Sequence, residues 1–448
     1  MRAGTAFAAL LGVASFGVAA WAQAPIQSTI QSNIGTSPVY QDAGCGCGTP
    51  AATSCGCESG CNSGCQLGGL SGLGSQLGTG GLSGLGGQLQ LRNRIDNILT
   101  GNCDYGDPWT LSEFLHGDCE PKVNIGGWLQ SGYHSEDNGL FNSRPDEWNL
   151  HQAWLFAEKE AVAGESPFGF RADILYGIDA QDTQSFGNNP GAFDFQNGFD
   201  HGAFGWAIPQ LYAEYAFENW TIKGGHFYTL IGYEVVTAPD NFFYSHAITF
   251  FNTEPFTHTG VLASRNIGDN VEFYGGWTSG WDTGFDSFND GSSWLGGLSM
   301  TLTENSTLAY FSTAGNLGAR GSDAYSHSFV YTNQLSDNLS WVVQSDLLRV
   351  GSTGEDNVGL NQYLLYNVND CLGLGARVEW WKGDVLTGYA PHGAVLPATG
   401  SLRYYAATFG ANIRTSANTV IRPEIRYDWS PAAGYDEAIF GIDAILTF

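Results

Sequence analysis

Six cysteines, Cys45, Cys47, Cys55, Cys57, Cys61 and Cys65, crowd into the segment CGCGTPAATSCGCESGCNSGC. Thiolates at that density bind zinc or softer ions, or oxidise in pairs. The C-x-C spacing is tighter than that of ordinary zinc sites, and no histidine lies nearby. In an exported chain disulfides, within or between chains, are the simpler outcome. A metal site of unknown identity and free thiols stay open. Further along, the spacing lets Cys103 pair with Cys119, which leaves Cys371 over. Catalytic signatures are absent: the chain has no H-E-x-x-H, no G-x-S-x-G and no P-loop. His226, His246 and His258 lack ligand spacing, and Asp282, Asp286 and Asp290 miss the calcium-loop pattern. Neither an enzyme nor a cofactor is expected.

The remaining chemistry is charge set into alternating apolar segments. Leu372, Leu374, Ala376, Val378 and Trp380 share one parity, Arg377 and Glu379 the other. Ile421, Pro423, Ile425, Tyr427 and Trp429 oppose Arg422, Glu424, Arg426 and Asp428. Phe168, Phe170, Ala172, Ile174 and Tyr176 oppose Arg171 and Asp173. Glu214, Glu272, Asp346 and Asp443 hold the same polar parity in their own segments. Successive side chains of a strand point to opposite faces, so each segment reads as a strand with one hydrocarbon face and one charged face. A lysine or arginine facing lipid at mid-bilayer costs about 2–4 kcal/mol. In a membrane, the charged face is therefore the lumen. Arg403 is the exception, because it shares the parity of Tyr405 and Phe409 and faces outward.

Such strands have to be carried by the rest of the chain. It has 448 residues and a net charge of −27, from 17 Lys+Arg against 44 Asp+Glu. Charged residues make up only 14%, aromatics another 14%, and there are 62 Gly and 2 Met. That balance suits strands and turns rather than helices. The acidity repels phosphates and excludes nucleic acid as a partner. It suits a cavity that attracts cations. Residues 1–22 read as a secretory signal, with Arg2, an apolar run from Ala6 to Ala20, and the cleavage site Ala20-Trp21-Ala22. No later run reaches the ~18 apolar residues of a spanning helix, so strands must carry any membrane crossing. Residues 23–102 are a low-complexity tether rich in Cys, Gly, Ser and Gln, with the near-repeat GGLSGLGSQL and GGLSGLGGQL. A pre-barrel segment, 103–121, follows.

From 122 to 448 the alternating segments recur, and their connections alternate too. Short turns at 218–219, 266–269, 304–305, 336–337, 369–370 and 416–417 take turns with longer connections at 178–205, 231–255, 278–292, 314–324, 349–357 and 382–400. Two unlike ends are the mark of an outer-membrane barrel. The expected fold is all-β: a transmembrane antiparallel up-and-down β-barrel of about sixteen strands, with both termini at the short-turn end, facing the periplasm. Trp148, Tyr176, Trp277, Trp380 and Trp429 sit at strand ends, as an interfacial girdle does. A water-soluble barrel of this size would have an interior too wide for side chains to fill. The last strand, AIFGIDAILTF, alternates strictly and stops on Phe448.

One connection is unusual. Residues 226–260, HFYTLIGYEVVTAPDNFFYSHAITFFNTEPFTHTG, are dense in aromatics that would be costly to leave in water. The aromatics predict that 231–255 packs inward against the barrel wall, where it would narrow the pore and bring Glu234, Asp240 and Glu254 to the arginines of the late strands. Packing over the rim or against another subunit is the alternative. It is the third long connection, the one general bacterial porins use to narrow their pore. The same run resembles the OmpL-like β-barrel porins of planctomycete bacteria, and IGGWLQSGYH (125–134) resembles that family's first strand. The resemblance covers about 122–448. It implies an outer-membrane porin-like barrel and says nothing of the cysteine-rich leader. The expected function is passive diffusion of small hydrophilic solutes, leaning to cations. The expected partners are outer-membrane lipid, small solutes or ions, and, as an open choice, further copies of the chain. The alternatives are a sugar-selective channel, or a structural or adhesive barrel cross-linked through its leader.

Overall fold

The alternating segments become strands that pair in sequence order until the last meets the first. The structure is a computed structural model and describes residues 97–117, 121–137, 139, 141–286, 288–384 and 401–448. The signal segment, the clustered cysteines, Cys119 and most of the 382–400 connection lie outside these residues. The strands are β1 Asn124–His134, β2 Trp148–Lys159, β3 Phe168–Gly177, β4 Gly205–Ala207, β5 Leu211–Phe217, β6 Trp220–Tyr228, β7 Thr257–Ile267, β8 Val271–Thr278 and β9 Ser292–Thr303. They continue as β10 Ser306–Asn316, β11 Ala324–Ser336, β12 Leu339–Val350, β13 Glu355–Asn369, β14 Leu372–Asp384, β15 Ser401–Ser416, β16 Thr419–Ser430 and β17 Tyr435–Thr447.

Closure is antiparallel, with Trp128 opposite Thr447 and His134 opposite Gly441. β4 and β5 both pair with β3 and are two halves of one stave. Pro209 lies in the gap between them and has no N–H to give the ladder. The result is a closed sixteen-strand barrel, as the segment pattern predicts. Closing the sheet leaves no open edge. Turns 218–219, 304–305, 337–338, 370–371 and 417–418 gather at one end, and the connections 178–204, 229–256 and 279–291 at the other.

The outward face is apolar: Leu129, Val261, Phe409, Ile425 and Phe440 are exposed. Aromatics mark both margins. Tyr405 stacks on Trp429 at the long-loop end, and Phe168 meets Tyr215 at the other. The charged parity lies on the opposite face, where Asp346, Arg377, Arg422 and Asp443 are buried.

Ahead of β1, residues 97–117 run along the short-turn end. Cys103 is disulfide-bonded to Cys371 in the β13–β14 turn, not to Cys119 as expected. The segment lies along the rim, and this brings two cysteines 268 positions apart in sequence together, their Cα atoms 5.8 Å apart. A short helix, α1 Leu111–His116, starts on a capping box in which Thr110 Oγ1 accepts from Glu113 N and Thr110 N donates to Glu113 Oε2.

Candidate functional site in the barrel lumen

The aromatic connection, 229–256, folds into the barrel. Burial of its apolar side chains is one cause: Ile231, Val236, Phe243, Tyr244, Ile248 and Phe250 are all buried. The wall leaves room for them. A Cβ on Gly375 would sit 2.2 Å from Phe242, and one on Gly359 would sit 2.1 Å from Thr249. Bare backbone at these inward positions makes a trough that a side chain would fill.

Charge fixes the segment in place. Arg377 is fully buried and donates to Glu234 at 2.7 Å, to Glu379 at 2.7 Å and to the Ser245 carbonyl at 2.7 Å. Arg422 forks onto Asp443 at 3.0 and 2.6 Å and also donates to the carbonyls of Ala238 and Asn241. Arg426 binds Asp428 at 2.6 Å, Glu379 at 3.1 Å and the His246 carbonyl at 2.9 Å. The carboxylates do the reverse work. Glu424 accepts from Tyr244 N and Ser245 N, Glu379 from Ile248 N, and Glu234 from Ala247 N. Wall arginines thus take the segment's carbonyls, and Glu424 and Glu379 of the wall take its amides, so a segment that is irregular apart from a 3-10 turn at Ala238–Asp240 and a short helix at Ile248–Asn252 is satisfied in a water-poor interior.

Glu234, Asp240 and Glu254 part company. Burial opposes ionisation of Glu234, yet Arg377 and His246 outweigh it and hold the carboxyl down to about 2. Asp240 accepts from its neighbour Thr237 instead of meeting a late-strand arginine. Glu254 also misses the arginines and lies beside Asp346, with Gln344 Nε2 donating to both carboxyls at 2.6 and 2.7 Å. Burial pushes the Glu254 carboxyl well above the usual range, and the charges of Asp346 and Glu234 add to the effect. The sequence pattern missed this because parity shows direction and not which inward residues share a height.

Other lumen residues line a different region. Arg171 binds Asp173 at 2.8 Å and Glu158 at 2.5 Å. Glu214 accepts from Ala161 N, and Glu272 from the Tyr274 hydroxyl. Glu158, Arg171, Glu214, Lys223 and Glu272 are only half-buried, on β2, β3, β5, β6 and β8. Asp173, Asp346, Arg377, Glu379, Arg422, Glu424, Arg426, Asp428 and Asp443 are buried.

Several anchors were not singled out from sequence. Gln152 donates to the Val236 carbonyl, and Asn361 to Thr249. Arg320 donates to the Asn252 carbonyl. The Tyr244 hydroxyl lies 2.5 Å from His151 Nε2, whose ring also meets Asp179 at 2.8 Å. Beside this chain a cavity of about 10 Å³ is lined by Gln130, Asn142, Asn241 and Arg422, room for roughly one water. Polar residues and glycines on the inward parity were the available signal.

A family model described as Putative beta-barrel porin-2, OmpL-like matches residues 122–448. No curated protein matches the chain. Among solved structures, a loop L8 deletion mutant of OmpT, an outer membrane protein of Vibrio cholerae, is 10% identical with a TM-score of 0.47, covering 73% of this chain and 99% of that one. The outer membrane channel DcaP of Acinetobacter baumannii is 13% identical with a TM-score of 0.46, covering 73% and 97%. OccK8 (OprE) of Pseudomonas aeruginosa is 12% identical with a TM-score of 0.42, covering 73% and 97%. The family match spans the whole barrel, inward segment included, and makes the protein a channel-type barrel rather than an enzyme. The chain belongs to the OmpL-like putative beta-barrel porin-2 family and is an outer-membrane β-barrel of porin type.

Proposed function

We propose that the barrel passes small hydrophilic solutes by diffusion, that the 229–256 segment is its constriction, and that it leans to cations. The observation carrying this reading is the division of the lumen. The segment is fastened to the β12–β17 wall by the buried Arg377–Glu234 pair and by wall arginines that donate to its carbonyls, while Glu158, Arg171, Glu214, Lys223 and Glu272 on β2–β8 stay half-buried. Solutes then pass beside the segment, along the stretch of wall that carries these half-buried charges. On that wall Glu158, Glu214 and Glu272 outnumber Arg171 and Lys223, and a low-dielectric wall focuses their field. The short-turn end, where residues 97–117 and Phe448 lie, faces the periplasm in this reading.

Liposome swelling with sugars of graded size, together with reversal potentials in a salt gradient, tests it. A size cut-off in the small-sugar range and a reversal potential of cation sign are expected. Anion selectivity, or no swelling with any solute, would overturn it. A structural or adhesive barrel is the second reading, favoured by how fully the segment fills the mid-lumen.

A further inference from the structure

The pre-barrel segment is pinned to the rim by its polar groups, while its largest apolar side chains are left outside. From its start it follows the short-turn end. Asn369 donates to the Ile98 carbonyl, Cys103 is bonded to Cys371, and the Tyr105 hydroxyl donates to the Arg414 carbonyl. Trp109 exchanges hydrogen bonds with Asn418 through its backbone N–H and carbonyl, and Ser112 Oγ accepts from Ile125 N at the start of β1. The segment thus passes the ends of β13 to β17 and crosses the seam where the last strand meets the first.

Its side of the wall can be read from Phe448. That residue shares the outward parity of Phe440 and Leu446, and a Cβ on Gly127, on the outward parity of Leu129, would lie 3.0 Å from its ring. Trp109 stacks on the same ring, with centroids 6.1 Å apart and planes 12° apart. Trp109 therefore lies on the outer, lipid-facing side of the rim, while Ser112 reaches over the rim, its Oγ donating to Asn124, whose side chain donates to the lumen residue Glu158. Trp109 is 53% exposed, Phe114 58% and Leu115 41%, although Ser112 in the same helix is fully buried. In water these side chains would form an unpaired apolar patch. At the margin of the barrel's apolar belt they continue a surface that lipid already covers. Trp at such a level is the residue an interface selects.

We propose that Trp109, Phe114 and Leu115 insert into the bilayer leaflet at the short-turn end, making the pre-barrel segment an interfacial anchor. The anchor is held to the rim by the Cys103–Cys371 bond. The inference rests on the barrel being in a membrane and not on what passes through it.

The test uses the full mature chain in phospholipid nanodiscs, with the photoreactive residue p-benzoylphenylalanine at position 114 or 115. Position 440, on the lipid face, and position 113, in the same helix as an exposed carboxylate, serve as controls. Lipid adducts at 114 and 115 in yields near that of 440, with few at 113, are the expected result. Adducts to the chain's own leader, or none to lipid while 440 gives them, would overturn the proposal. A second readout needs no variant: hydroxyl-radical footprinting of Trp109 and Phe114. Protection in nanodiscs relative to Phe199, which is 73% exposed in a long connection, is expected; oxidation as fast as that of Phe199 would contradict it.

Discussion

Arg377 joins more of the lumen than any other single side chain described here, because it meets Glu234 of the segment, Glu379 of its own strand and the Ser245 carbonyl at once. Removing one partner of a buried ion pair leaves its mate charged and unpaired, at a cost of about 3–5 kcal/mol. Arg377→Met should destabilise the folded barrel by that order in denaturant unfolding from bilayers. Glu234→Gln should recover part of the loss in a double-mutant cycle. Gly375→Leu should act by shape alone, driving Phe242 from its trough, and limited proteolysis should then cut within 234–247, a stretch expected to resist cleavage in the wild type. The pH dependence turns on Glu254. Its carboxyl is raised when docked, so docking is favoured in acid and weakens as pH climbs past the ordinary 4.5 toward the raised value. Glu234 has the opposite sign: its contribution is present above the ordinary 4.5 and is lost only as pH falls toward about 2. Conductance should therefore rise as pH climbs above the ordinary carboxyl value of 4.5, and Glu254→Gln should flatten that rise. The inward direction of Arg377 and Arg422 was legible from parity alone. Their partners were not, because a pairing depends on the height at which an irregular segment crosses the lumen.

At the scale of elements, strands and turns were the most legible part. A period of two carries through both lipid and lumen faces, and Asn, Asp and Gly mark each short turn. β3 was expected at 168–177 and is found there. The fourth stave was read as continuous, and Pro209 splits it. The cysteine pairing was misread for a physical reason: nearness in sequence favoured Cys119, whereas the segment lies flat along the rim and meets the β13–β14 turn. A disulfide closing so long a loop is worth up to about 5 kcal/mol in the chain-entropy model. Reduction, or the Cys103→Ser/Cys371→Ser pair, should lower the unfolding midpoint and expose 97–117 to protease while the barrel stays assembled. If protection of that segment is unchanged, the disulfide is not what holds it.

At the scale of the molecule, few cations in an acidic chain are spent in two ways. Arg377, Arg422 and Arg426 are buried in fastening the segment, and Arg171 and Lys223 are left among the carboxylates of the open wall. The total charge was plain from composition, but its division between fastening and lining belongs to the fold. The central claim is that the inward segment sets the width of the pore. Single-channel conductance in planar bilayers, before and after residues 234–247 are replaced by a short Gly-Ser linker, tests it most directly. An open channel whose conductance rises severalfold on replacement is the predicted result. An unchanged conductance, or a barrel closed in both forms, would contradict it.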